Sequence, residues 1–136
     1  MKFIVVDTNI LIDYAKGYAE WVDDYLQLSS PVNLVLPTIV IAEYFASRAL
    51  EDEKEVHVAE KTFSLFKKQD LTESIAKIVG KILRHKSHPT TASIPDIVVA
   101  ATALFLNAEL ATRNKRDFAK IPHLRFFDPK YDQWER

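Results

Sequence analysis

Apolar residues follow two rhythms along this chain. Unbroken runs rich in β-branched residues occur at 2–6 (Lys-Phe-Ile-Val-Val) and 33–37 (Asn-Leu-Val-Leu-Pro). Runs of this kind fit buried strands covered on both faces, and Pro37 stops the second. Elsewhere apolar positions recur at three- and four-residue spacing, which predicts helices. Helices are expected over 9–15 and 18–28, interrupted near Gly17, and over 38–50, with Thr38 as its cap. A charged helix follows over about 53–68, then one over 72–86 and one over 94–107 that Ser93 opens. Lys-Lys-Gln-Asp-Leu-Thr, from 67, reads as a brief strand, 85–93 as polar loop, and 108–112 and 124–128 as two further strands. Strands alternating with helices predict an α/β layered fold with a mostly parallel sheet and right-handed crossovers.

A length of 136 residues suits one domain, 1–136, and 48% hydrophobic with 27% charged residues is the composition of a folded globular chain. The formal charge of −1 provides no global basic field, so any nucleic-acid contact must come from local patches. Cysteine is absent, which excludes disulfides and thiolate metal sites. The chain starts directly on a strand-like run, without a secretory pattern or an apolar run of membrane-spanning length, and the expected location is cytoplasmic, with no membrane partner. Gly17 and Gly80 are the only glycines, so a glycine-rich phosphate loop is ruled out.

Three acids stand in apolar surroundings where charge is seldom tolerated: Asp7 after Phe-Ile-Val-Val, Glu43 within Ile-Val-Ile-Ala-Glu-Tyr-Phe-Ala, and Asp96 within Ser-Ile-Pro-Asp-Ile-Val-Val. Taken singly, Asp7 reads equally as the cap of the next helix. Asp96 stands three residues after Ser93, the spacing of a capping box. Glu43 is harder to place on a polar face, because 39, 40, 42, 46 and 47 are all apolar or small. Topology joins them. In a parallel sheet the strand C-termini share one rim, and helices that leave or feed those strands start there. Asp7, Glu43, Asp96, Asn114 and Asp117 all fall at that rim, where open α/β sheets bind ligands. Converging carboxylates repel one another unless a cation joins them. Carboxylate oxygens suit Mg²⁺ or Mn²⁺, which can neutralise a phosphodiester and activate water without a covalent nucleophile.

Val-Val-Asp-Thr-Asn-Ile-Leu-Ile-Asp, Leu-Pro-Thr-Ile-Val-Ile-Ala-Glu-Tyr-Phe, Ile-Pro-Asp-Ile-Val-Val-Ala-Ala-Thr-Ala-Leu and Leu-Ala-Thr-Arg-Asn-Lys-Arg-Asp-Phe follow in that order. The ordered set resembles the PIN-domain ribonucleases, most closely the short VapC-type toxins of prokaryotic toxin–antitoxin pairs. The resemblance spans essentially the whole chain. It implies a PIN-like α/β/α sandwich, Mg²⁺ or Mn²⁺ dependence and endonucleolytic cleavage of RNA, with a cognate antitoxin protein and a homodimer. Carried over by residue, Asp7 is the first ligand, Glu43 the helix acid and Asp96 the acid of the second half. Asp117 is favoured as the fourth acid, with Asn114 beside it as a polar ligand. Thr8, Asn9 and Thr112 resemble the polar residues that orient such carboxylates. Two glycines common in the family, after the helix glutamate and before the third acid, are missing here, which bears on loop shape and RNA preference.

Arg113, Lys115 and Arg116 lie beside the fourth acid and are the candidate RNA-phosphate contacts; Arg84, His85, Lys86 and His88 form a second basic cluster. The 84–88 cluster reads equally as solvated loop charge, Arg113, Lys115 and Arg116 somewhat less so, and the two histidines read as surface residues. Tyr14, Tyr18, Trp21, Tyr25, Tyr44 and Phe45 recur at helical spacing as core, although the resemblance implies that some of the first four line an antitoxin groove. The 131–136 tail reads as a frayed end or a dimer contact. Three alternatives stand beside the toxin reading: a PIN-type nuclease in RNA processing or acting on DNA, a non-catalytic PIN-like binding scaffold, and a phosphoacceptor or aspartyl-phosphatase fold. A phosphoacceptor fold would show an acid pair after the first strand, which is missing here, and an aspartyl phosphatase a second aspartate at position 9, which is Asn.

Overall fold

The computed structural model describes residues 2–27 and 29–129; the 131–136 tail lies outside them. Five strands form one sheet: β1 (Lys2–Val6), β2 (Val32–Pro37), β3 (Lys67–Gln69), β4 (Glu109–Ala111) and β5 (Arg125–Phe126). Their order is β3-β2-β1-β4-β5, and every pairing is parallel. Among the described residues six α-helices connect them: α1 (Thr8–Ala15), α2 (Trp21–Leu26), α3 (Thr38–Phe45), α4 (Glu53–Phe63), α5 (Glu73–His85) and α6 (Ile94–Leu106). The chain steps outward from β1 to β2 and β3, then returns to the other side of β1 for β4 and β5. With right-handed crossovers, the connections in the two directions cover opposite faces of the sheet. The direction changes at β1, so its C-terminal end is the topological switch point.

The two apolar rhythms have their expected physical basis. Ile4, Val5 and Val6 on β1, Leu34, Val35 and Leu36 on β2, and Leu110 and Ala111 on β4 are all buried, as strands covered on both faces must be. Helix α6 is buried from Ile97 through Ala103. Its three alanines let it lie close on β1, and the Thr102 hydroxyl satisfies itself on the Val98 carbonyl at 2.7 Å. The capping box at the start of α6 is present, Ser93 and Asp96 each accepting the other's backbone N–H. Helix α5 ends at Lys86 in the left-handed conformation, with its basic last turn facing the helix C-terminus.

Three helix boundaries differ from the sequence expectation. Gly17, at φ +82, and the Tyr18 N–H bond to the Asp13 carbonyl turn the chain, so α2 begins only at Trp21. Helix α3 ends at Phe45, because Ser47 caps a separate 3-10 turn, Arg48–Glu51, with no glycine or proline to announce the break. Helix α4 stops at Phe63 instead of 68; Phe66 then turns inward to meet Tyr14 edge-on at 6.2 Å.

Candidate metal-dependent active site

Asp7 leaves β1 at the switch point and is the N-cap of α1. Its carboxylate is 4% exposed and accepts three hydrogen bonds. The Thr8 N–H donates to Oδ1 at 2.8 Å. The Thr112 hydroxyl and Asn9 Nδ2 donate to Oδ2 at 2.8 and 3.1 Å. Strand register explains the meeting: Val6 pairs with Ala111, and Asp7 and Thr112 each stand one residue beyond that pair. Thr112 Oγ1 also accepts Asn9 Nδ2 at 3.2 Å and the Asn114 N–H at 3.0 Å, so one hydroxyl joins β1, α1 and the segment leaving β4.

Burial pushes Asp7 up to about 6, against the pull of the Thr112 and Thr8 hydrogen bonds, and the charges of Asp96 and Glu43 raise it further. The charges of Glu43 and Asp96 therefore reach Asp7. Asp96 comes from the first turn of α6, where one carboxylate oxygen receives the Ser93 N–H at 2.9 Å. Capping and membership in the charge cluster are thus not alternatives, for Asp96 or for Asp7. Glu43 comes from α3 and accepts the Thr8 hydroxyl at 2.7 Å. It is exposed, contrary to the apolar burial that its neighbours predicted: α3 rides at the rim with Val40 as its only buried residue, and Phe45 is itself 43% open.

Asp117 sits on the 3-10 turn Lys115–Phe118, its N–H bonded to the Asn114 carbonyl at 2.9 Å. It is not among the charges that raise Asp7, whereas Asn114 joins the Asp7 network through Thr112. Among the described residues, no three acidic or histidine side chains already close around one point. The donor set nevertheless fits a hard cation. It is all carboxylate and amide oxygen, and Mg²⁺ takes one or two carboxylates while keeping water and phosphate oxygens in its other positions.

Of the predicted RNA contacts, Arg113 is paired through Nε with Asp13 at 2.8 Å, and Lys115 with Asp128 at 2.5 Å while lying over the Phe126 ring. Arg116 is exposed beside them. Asp13 escaped the sequence reading, although its place beside Ile10 and Leu11 on the buried side of α1 carried the same signal as Glu43. On another side, two cavities of about 440 and 430 Å³ share Ala15 and Val58 and form a groove from α2 along α1 and α4 to Glu43. Of the four early aromatics, Tyr14 lines this groove, its hydroxyl bonded to Asp23 at 2.6 Å. Tyr18 is exposed, and Trp21 is buried against Tyr25 and Phe127.

Known proteins are similar to this chain in sequence and in fold. Over 122 residues the chain is 28% identical to Ribonuclease VapC19 of Mycobacterium tuberculosis, covering 89% of this chain and 96% of that protein. A chain of the VapBC-1 structure from nontypeable Haemophilus influenzae superposes with a TM-score of 0.74 at 28% identity, covering 98% of this chain and 99% of that one. A chain of a toxin–antitoxin complex from Klebsiella pneumoniae does so at 0.63 and 28%, covering 89% and 94%. Residues 4–124 match the sequence profile of the PIN domain, and the chain belongs to that family.

Proposed function

We propose that this chain is an Mg²⁺- or Mn²⁺-dependent endoribonuclease and the toxin of a type II toxin–antitoxin pair acting in the cytoplasm. The observation that carries the reading is Asp7. A buried carboxylate with three donors behind it and two further acids beside it stands at the switch point of a parallel sheet. The resemblance to a protein named a ribonuclease, and to chains solved in toxin–antitoxin complexes, supports the substrate and the partner.

Asp7, Asp96 and Glu43 would hold the ion, with Asp117 or Asn114 as the fourth donor. When bound, the ion supplies positive charge beside the scissile phosphate and acidifies water there. Thr112, Asn9 and the Thr8 N–H fix the Asp7 oxygens in direction, and the Thr8 hydroxyl does the same for Glu43. Arg113, Lys115 and Arg116 receive flanking RNA phosphates. An antitoxin segment occupies the groove along α1 and α4, whose apolar wall includes Ile12 and Val58 and whose end is Glu43. Among the described residues no helix is long and apolar enough to cross a membrane.

Induced expression in a bacterial host tests the toxin reading. Wild type should halt growth and Asp96→Asn should not, and co-expression of the adjacent small gene should restore growth. Normal growth with abundant folded wild-type protein favours the housekeeping nuclease instead.

A further inference from the structure

Asn9 and Asp13 stand one helical turn apart on α1, so their side chains share a face. Both reach the same short segment after β4. Asn9 Oδ1 accepts the Arg113 N–H at 3.1 Å, and Asp13 Oδ2 meets Arg113 Nε at 2.8 Å. Asp13 is 3% exposed, a setting in which a carboxylate needs an ionic partner. Arg113 directly follows Thr112, the residue whose hydroxyl points at Asp7 Oδ2. Helix α1 therefore grips this segment at three points: Asn9 holds the Thr112 hydroxyl and the Arg113 backbone, and Asp13 holds the guanidinium.

From this geometry we infer that Asp13 is a positioning residue, acting through Arg113 to hold the Thr112 hydroxyl on Asp7. The inference rests on the nuclease reading for its kinetic consequence and on nothing but the clamp for its structural one. The two Asn9 hydrogen bonds, to the Thr112 hydroxyl and the Arg113 N–H, leave the Arg113 side chain free to swing. The Asp13 contact removes that freedom. A bond through Nε faces the guanidinium edge inward, while the side chain remains 40% exposed at the rim. The pair thus lies where α1 meets the active-site loop and is not isolated inside the core.

The test is a double-mutant cycle with Asp13→Asn, Arg113→Met and the combined variant, read in two ways. Manganese-supported cleavage of a defined RNA yields kcat and KM, and hydrogen exchange by NMR reports on the Arg113 amide and the Asn9 side-chain amide. Each single variant should lower kcat by about 10- to 100-fold, the range for residues that orient metal ligands. In Asp13→Asn KM should stay within about twofold; Arg113→Met also loses an RNA-phosphate contact and raises KM, so the cycle is read on kcat, where the double variant should fall no further than either single one. Exchange at both amides should speed up in Asp13→Asn. Losses in kcat that multiply, or a raised KM with unchanged kcat in Asp13→Asn, would overturn the proposal. So would unchanged exchange at the two amides. If wild type fails to cut RNA, the nuclease reading falls alone, and exchange still decides whether Asp13 holds the loop. If Asp13→Asn does not fold, Arg113→Met removes the same contact from its exposed side, and exchange at the two amides reads the result.

Discussion

Asp7 is held by three donors yet loses more from burial than they return, so its carboxyl sits at about 6 against 3.8 in an unfolded chain. The sign of the consequence follows from proton counting. Between about pH 4 and 6 the folded protein keeps a proton that the unfolded chain releases, so stability without metal falls as pH rises through that window and levels off above it. The full shift corresponds to about 3 kcal/mol. Asp7→Asn removes the buried charge but replaces one acceptor oxygen with an amide donor among groups that donate. Without metal it should therefore be the more stable protein at pH 7.5, by on the order of 1–2 kcal/mol, with the gap closing near pH 4. Urea denaturation at the two pH values measures this. A variant less stable than wild type at pH 7.5 would mean that the donors already outweigh burial.

Helix α6 carries Asp96 to the rim, and its cap is separable from its acid. Ser93→Ala removes the hydroxyl that accepts the Asp96 N–H, at a cost of about 1 kcal/mol in stability. The backbone N–H of residue 93 still holds the Asp96 carboxylate, so cleavage should fall by less than about threefold. A melting curve and a cleavage rate on one preparation check both halves; a large loss of rate would make the hydroxyl part of the site. At this scale much was legible beforehand. The runs at 2–6 and 33–37 and the spacing over 72–86 and 94–107 imposed themselves because one pattern governed each whole element. The ends of α3 and α4 did not, because they depend on Ser47 capping a new turn and on Phe66 turning inward, and tertiary packing decides both.

The parallel sheet places the ends of β1 and β4 side by side and brings the starts of α3 and α6 to the same rim. That convergence could be read from sequence, since it follows from strand direction alone. Side-chain pairing across about a hundred residues could not: the Thr112 hydroxyl on Asp7 and the Arg113 contact with Asp13 have no local signature. Nor could local pattern tell that Glu43 is open to solvent. The groove tests the partner at this scale. Val58→Glu puts a charge on its apolar wall and should weaken antitoxin binding by about 10-fold or more, measured by calorimetry. Unchanged affinity would place the antitoxin elsewhere.

The most direct measurement of the central claim is cleavage of total RNA with mapped ends, by wild type and Asp7→Asn side by side, with Mn²⁺ and with a chelator. Wild type should produce discrete internal cuts only with the metal, and Asp7→Asn, shown to be folded, should produce none. Cutting that survives the chelator, or that folded Asp7→Asn performs as well as wild type, would contradict a metal-dependent nuclease centred on Asp7.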